Sequence, residues 1–81
     1  MKLYLLTQMG NYENYDFYDS IVVCAENEND AKTIRPDGEN FVDGNNDYNW
    51  AKSLQDIDCE EIGIANKNQK RGVIITSFNA G

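Results

Sequence analysis

Asp56, Asp58, Glu60 and Glu61 place four carboxylates within six residues, and paired carboxylates are what glycosidases use for acid–base work. Such work needs a concave site that pushes the two pKa values apart and holds a substrate between the groups. A short strand and the segment leading into it supply neither, so these acids read as a solvated face. The sequence contains no histidine. That removes the usual general base, every Ser–His or Cys–His nucleophile and most zinc sites. Cys24 and Cys59 form no CxxC pair and no disulfide framework, and they are expected to be buried thiols in a reducing cytosol. Asp43-Gly44-Asn45-Asn46-Asp47 matches positions one, three and five of a calcium loop. Tyr48 then stands where the loop needs glycine, and Leu54 where it needs a bidentate glutamate, so the stretch reads as a polar turn. No GxGxxG or Walker sequence is present. The expectation is a protein with no catalytic residues, no metal and no cofactor.

Two other stretches carry recognition chemistry. Tyr12-Glu13-Asn14-Tyr15-Asp16-Phe17-Tyr18-Asp19 sets four aromatics among acids. Tyrosine offers a large contact area at small entropic cost, so Tyr12, Tyr15, Asp16, Tyr18 and Asp19 form a candidate partner-binding set. The competing reading is that these rings cap one end of the core. Lys67-Asn68-Gln69-Lys70-Arg71 holds three of the seven basic residues. With Arg35, the cations Lys67, Lys70 and Arg71 form a candidate phosphate- or ligand-binding set. The competing reading is a solvated hairpin tip whose lysines discourage edge pairing.

Charge narrows the partners. Fourteen acidic residues oppose seven basic ones, a net charge of -7. Phosphate binding needs a basic surface, so direct binding to nucleic acid or anionic lipid is not expected. An acidic surface fits solubility alone, or docking on a basic protein partner.

The elements that would position these residues follow from periodicity. Lys2–Gln8 reads as a strand with apolar residues on both faces, and Phe17–Ala25 as a second strand built on Ile21-Val22-Val23. Asn27 reads as the N-cap of a short helix reaching about Ile34, with Arg35-Pro36 ending it. Residues 37–49 are a polar loop, and Trp50 is expected to anchor its far end. Ser53 is placed to cap a turn at 54–56. Strands over about 59–66 and 72–78 complete the chain, joined by a polar turn. The result is one domain over residues 1–81, of α+β class: ββαββ, a four-stranded antiparallel sheet with one short helix on one face. The expected core is Leu3, Leu5, Ile21, Val23, Ala31, Ile34, Ile62, Ile64, Val73 and Ile75. One short helix covers one sheet face, so the second must be covered by residues 37–57, by another subunit, or by both; a homo-oligomer is expected. No apolar run is long enough to span a membrane and the opening residues do not make a signal peptide, so the expected location is the host-cell cytoplasm.

The opening Met1-Lys2-Leu3-Tyr4-Leu5-Leu6-Thr7-Gln8, the stretch Tyr15-Asp16 to Ser20, Ile21-Val22-Val23-Cys24-Ala25-Glu26, Pro36, Trp50 and the ending Gly72 to Gly81 resemble a family of small proteins of bacteria and their phages. The resemblance covers most of the chain outside residues 37–49 and brings no catalytic motif. What it implies is a compact accessory protein carried on phage or prophage DNA, a setting in which small acidic proteins often antagonise bacterial defence. Three functions follow. The first is a non-enzymatic, anti-CRISPR-like inhibitor that binds a host immune protein through its acidic, tyrosine-rich surface. The second is an oligomeric sponge that sequesters a nucleotide immune signal, with its base on tyrosine and its phosphates on Arg35, Lys67, Lys70 or Arg71. The third is a host accessory protein with an unrelated partner.

Overall fold

The computed structural model describes residues 1–9, 16–42 and 50–80, with the side chains of residues 16, 79 and 80 outside that description. Four strands, β1 (Lys2–Gln8), β2 (Asp16–Ala25), β3 (Ile57–Ile64) and β4 (Gly72–Ala80), form one sheet with a single α-helix, α1 (Glu28–Lys32). A 3-10 turn at Leu54–Asp56 leads into β3.

The centre of the sheet is the β1–β2 pair. Its antiparallel register sets Tyr4 against Val23 and Leu6 against Ile21, with Leu3 against Cys24 and Leu5 against Val22. Because strand side chains alternate, the first pairs share one face and the second pairs the other. β3 adds to the outer side of β1 and β4 to the outer side of β2, giving the order β3-β1-β2-β4. The four-stranded antiparallel sheet and its one short helix are therefore as the sequence indicates. The hairpin expected between β3 and β4 is not formed. These strands lie at opposite edges, and residues 65–71 carry the chain across the end of the sheet. The Ala65 N–H donates to the Met1 carbonyl at 3.1 Å on the way, and Arg71 reaches the carboxylate of Asp30 on α1 at 2.9 Å.

Asn27 caps α1: its side-chain oxygen accepts from the Asp30 N–H at 2.8 Å, and Glu28 and Asp30 sit at the positive end of the helix dipole. The helix stops at Lys32, two residues before the expected Ile34. The cause is a small hairpin that claims the next backbone groups. The Phe41 N–H donates to the Thr33 carbonyl at 2.8 Å and the Arg35 N–H to the Glu39 carbonyl at 2.9 Å, bridging Ile34 to Asn40. Gly38 closes its tip at a φ of 87°, which an L side chain rarely adopts.

The core lies on the helix side. Tyr4, Leu6, Ile21, Val23, Ala25, Ala31, Ile34, Trp50, Ala51 and Ile57 form one buried cluster, with Tyr18, Phe41, Cys59 and Val73 packed against it. Trp50 thus anchors the far end of the polar loop as expected, and its indole N–H has no acceptor among the described residues. Four of the ten expected core residues (Ile21, Val23, Ala31, Ile34) are fully buried and Val73 joins them partly. Leu3 and Leu5 are half-buried on the other face. Ile62, Ile64 and Ile75 are exposed, Ile64 at 82%. Both faces of β1 are apolar, so alternation alone leaves the choice of face open; Trp50, Ile57 and α1 settle it in favour of Tyr4 and Leu6. At Ile62 the β1–β3 register shifts, with Tyr4 opposite Glu61 and Leu3 opposite Gly63. Such a bulge leaves the extra residue unpaired, here at an open edge.

Leu6→Ala removes a fully buried side chain and is expected to cost about 2–5 kcal/mol in urea unfolding. Ile64→Ser is expected to stay within about 0.5 kcal/mol of the parent. Equal losses would place the core on the wrong face.

Candidate partner-binding surface

The aromatic stretch is only partly described. Tyr12 and Tyr15 lie outside the described residues, and Asp16 enters through its backbone alone, paired with Ala80. Tyr18 is half-buried on β2, beside β4. Its ring meets Phe78 edge-on, with centroids 4.8 Å apart and planes at 63°, a favourable aromatic geometry. The β2–β4 register shifts between Tyr18 and Ser20, and the buried amide of Gln8 donates to the Tyr18 carbonyl there. Asp19 occupies the shifted position, half-buried, and accepts from the Ser20 hydroxyl at 3.4 Å. Tyr18 therefore has two sides, one against the core and one against the half-exposed Phe78. Phe78 and Gln8 were not singled out in the sequence. Their involvement depends on register, which no local signal encodes.

The basic set is brought into a different role. Arg71 places its Nε and Nη2 on both oxygens of Asp30 at 2.9–3.0 Å, and its Nη2 also meets the Thr33 hydroxyl at 3.2 Å. Arg35 makes the same kind of fork on Asp37, at 2.9 and 2.5 Å. Bidentate guanidinium–carboxylate pairs are among the stronger polar contacts, so both arginines already have anions. The Arg71 hydrogen bond holds the Asp30 carboxyl below its usual 3.8, and the Arg35 hydrogen bond does the same for Asp37. Lys67 and Lys70 stay exposed on the link between β3 and β4. The Asn68 N–H donates to the Asn66 side chain at 3.1 Å, fixing a tight polar turn there.

The acids collect elsewhere. Asp58, Glu60 and Glu61 are exposed on the β3 edge, next to which α1 packs with Glu28. Lys2 pairs with Glu61 across β1–β3 at 3.1 Å. This acidic edge lies two strands from Tyr18 and three from Phe78, about 10 and 14 Å at ordinary strand spacing. The acidic edge and the described part of the aromatic stretch are therefore separated by β1, and Asp19 is the described acid beside Tyr18.

Cys24 is fully buried, and its thiol lies 3.9 Å from the Met1 sulfur. Cys59 is half-buried, and burial, followed by the charge of Glu28, pushes its thiol up to about 11. A thiol so placed is largely protonated at neutral pH and a poor nucleophile. Among the described residues no group of three or more His, Cys, Asp or Glu side chains could hold a metal ion. The loop 43–47 read against the calcium pattern lies outside them. No described helix is long and apolar enough to cross a membrane. Comparison with protein-family models, curated proteins and solved structures returns no match, so the reading of function rests on the chain itself.

The Arg71–Asp30 pair predicts a pH dependence with a definite sign. A depressed carboxyl pKa contributes stability that is present above the unfolded value near 3.8 and is lost as pH falls through the lower folded value. Arg71→Gln should therefore lower stability at neutral pH, by under about 1 kcal/mol for so exposed a pair. The gap between parent and variant should close in acid below that value. A gap that stays constant with pH, followed by urea titration, would remove the pair from the stability of the fold.

Proposed function

We propose that the protein is a non-enzymatic accessory protein of phage or prophage type that inhibits a host immune protein by occupying a basic site on it. The single observation that supports this most is the distribution of charge. In a chain of net charge -7, the β3 edge carries exposed Asp58 and Glu60 on the face shared with Leu5, and Glu61 on the helix side, where α1 brings Glu28, so a basic partner seated on this edge would meet acids from both faces. Complementary potentials of this kind steer association and select partners. Tyr18, two strands from that edge, supplies the second contact, preorganised by Phe78 and by the Gln8 bond to its carbonyl. The family resemblance supplies the setting, by analogy.

The nucleotide-sponge reading ranks below this one. Arg35 and Arg71 are engaged with Asp37 and Asp30, so taking up a phosphate would mean breaking a bidentate pair for each. Lys67 and Lys70 are strongly hydrated point charges that lack the fork geometry suited to phosphate.

The test pairs two variants with opposite structural demands. Glu60→Lys with Asp58→Lys reverses the exposed acidic edge, and Tyr18→Phe keeps the ring while removing the hydroxyl. Tyr15→Ala probes the rest of the stretch. Each is assayed for protection of phage against a panel of defence systems, beside its melting temperature. The expected result is that the double lysine variant loses protection at an unchanged melting temperature, and that binding in the parent weakens steeply with ionic strength. Protection that survives the charge reversal in a folded protein would overturn the acidic-edge reading.

A further inference from the structure

The two edges of the sheet are built in opposite ways. β3 carries Asp58, Glu60 and Glu61, and charges on an edge strand are the usual device against pairing with another chain. β4, Gly72-Val73-Ile74-Ile75-Thr76-Ser77-Phe78-Asn79-Ala80, carries no charged residue over its nine positions. Its exposed residues 74–78 are β-branched or aromatic except for Ser77, with Ile74, Ile75 and Phe78 exposed at 42%, 63% and 47%. In a chain of net charge -7, this is the one described strand whose whole length is neutral and whose outer side is unpaired.

We propose that β4 is the dimerisation edge of this protein, pairing antiparallel with β4 of a second copy to give a continuous eight-stranded sheet. Three features favour a second copy over another occupant. The first is symmetry. A two-fold axis perpendicular to the sheet and centred on Thr76 overlaps all nine residues, and it places Ile74 opposite Phe78 of the other copy, twice. Aromatic and β-branched residues directly opposite each other are favourable cross-strand pairs. The second is repulsion. Two copies of so acidic a chain approach most easily through an uncharged strip, and β4 is the strip farthest from the acidic β3 edge. The third is complementarity at the ends. Antiparallel pairing brings the basic link before β4, with Lys67 and Lys70, towards the far end of the other copy's β2–β4 pair, where Asp16 is paired with Ala80. The contact is thus neutral in the middle, and at each of its two equivalent ends basic residues of one copy lie towards Asp16 of the other. It also sets the two open faces, with Leu3, Leu5, Val22 and Ile75, side by side on one surface. The acidic β3 edge takes no part in this pairing, so charge reversal on β3 and Thr76→Lys on β4 test the two readings separately, and Phe78, which meets Tyr18, is the residue they share.

The test is sedimentation velocity and native mass spectrometry across a micromolar concentration series. The parent is expected to be a dimer. Thr76→Lys puts two like charges opposite each other at the axis and should raise the dimer dissociation constant by about tenfold or more. Its circular dichroism should be unchanged, since Thr76 is exposed. Ile75→Lys and Ser77→Glu, opposite each other in this register, should each weaken the dimer alone and restore it when combined. A monomeric parent throughout the series would overturn the proposal, and so would a dimer that Thr76→Lys leaves intact. A β4 edge that is protected only in the presence of a different protein would also overturn it and give the edge to that partner.

Discussion

Among the described residues the sheet has two apolar faces and one covering layer, and the rest of the described structure follows from that imbalance. α1 has five residues, too few to cover more than a corner of four strands. The covering layer is completed by Ile34, Phe41, Trp50, Ala51 and Ile57, all gathered on the same side. There Leu6, Val23, Ala25 and Ala31 reach zero exposure, with Ile21 at 1%. Burial on one side only is the ordinary way for an antiparallel sheet to satisfy a small chain. What is unusual is that Leu3, Leu5, Val22 and Ile75 remain apolar on the side left half-open.

The polar contacts serve this single layer. Arg71 ties the link between the two edge strands to Asp30 and Thr33 on the helix, so the chain that crosses the end of the sheet is pinned where the helix begins and ends. Gln8 fills the carbonyl position loosened where β2 shifts register against β4. The register shifts at Ile62, Asp19 and Ile74 all fall between a central strand and an edge strand, while the β1–β2 pair between them runs without interruption. The regular hairpin sets the core, and the bulged outer strands carry the surfaces available for binding: acids on β3, apolar residues on β4.

Much of this was legible in the sequence. Lys2–Gln8 has the bounds that alternation gives it, because Met9 and the glycine that follows break the pattern. Asn27 declared the helix start through its capping chemistry, and Trp50 the anchor, being the largest apolar residue beside a polar run. The strand order was not legible. The turn residues Asn66 to Lys70 look the same whether they join neighbouring strands or cross the end of a sheet, and only long-range pairing tells the two apart. The same blindness misassigned Leu3, Leu5 and Ile75 to the core: a strand apolar on both faces carries no mark of which face will be covered. For the candidate site, Tyr18 and Asp19 could be named from composition. Their neighbour Phe78, sixty residues away in the chain, and the engagement of Arg71 with Asp30 depend on register and on the fold of α1, whereas the Arg35–Asp37 pair is local, two residues apart.

One-sided burial is open to direct measurement. Methyl-labelled Thr76→Lys protein, chosen so that β4 pairing hides nothing, would be titrated with a soluble paramagnetic probe while its methyl resonances are followed by NMR. The methyls of Leu3, Leu5, Val22 and Ile75 should broaden strongly, and those of Leu6, Ile21, Val23 and Ile57 should not. If both sets resist the probe equally, a further part of the chain covers the second face, and one-sided burial is wrong.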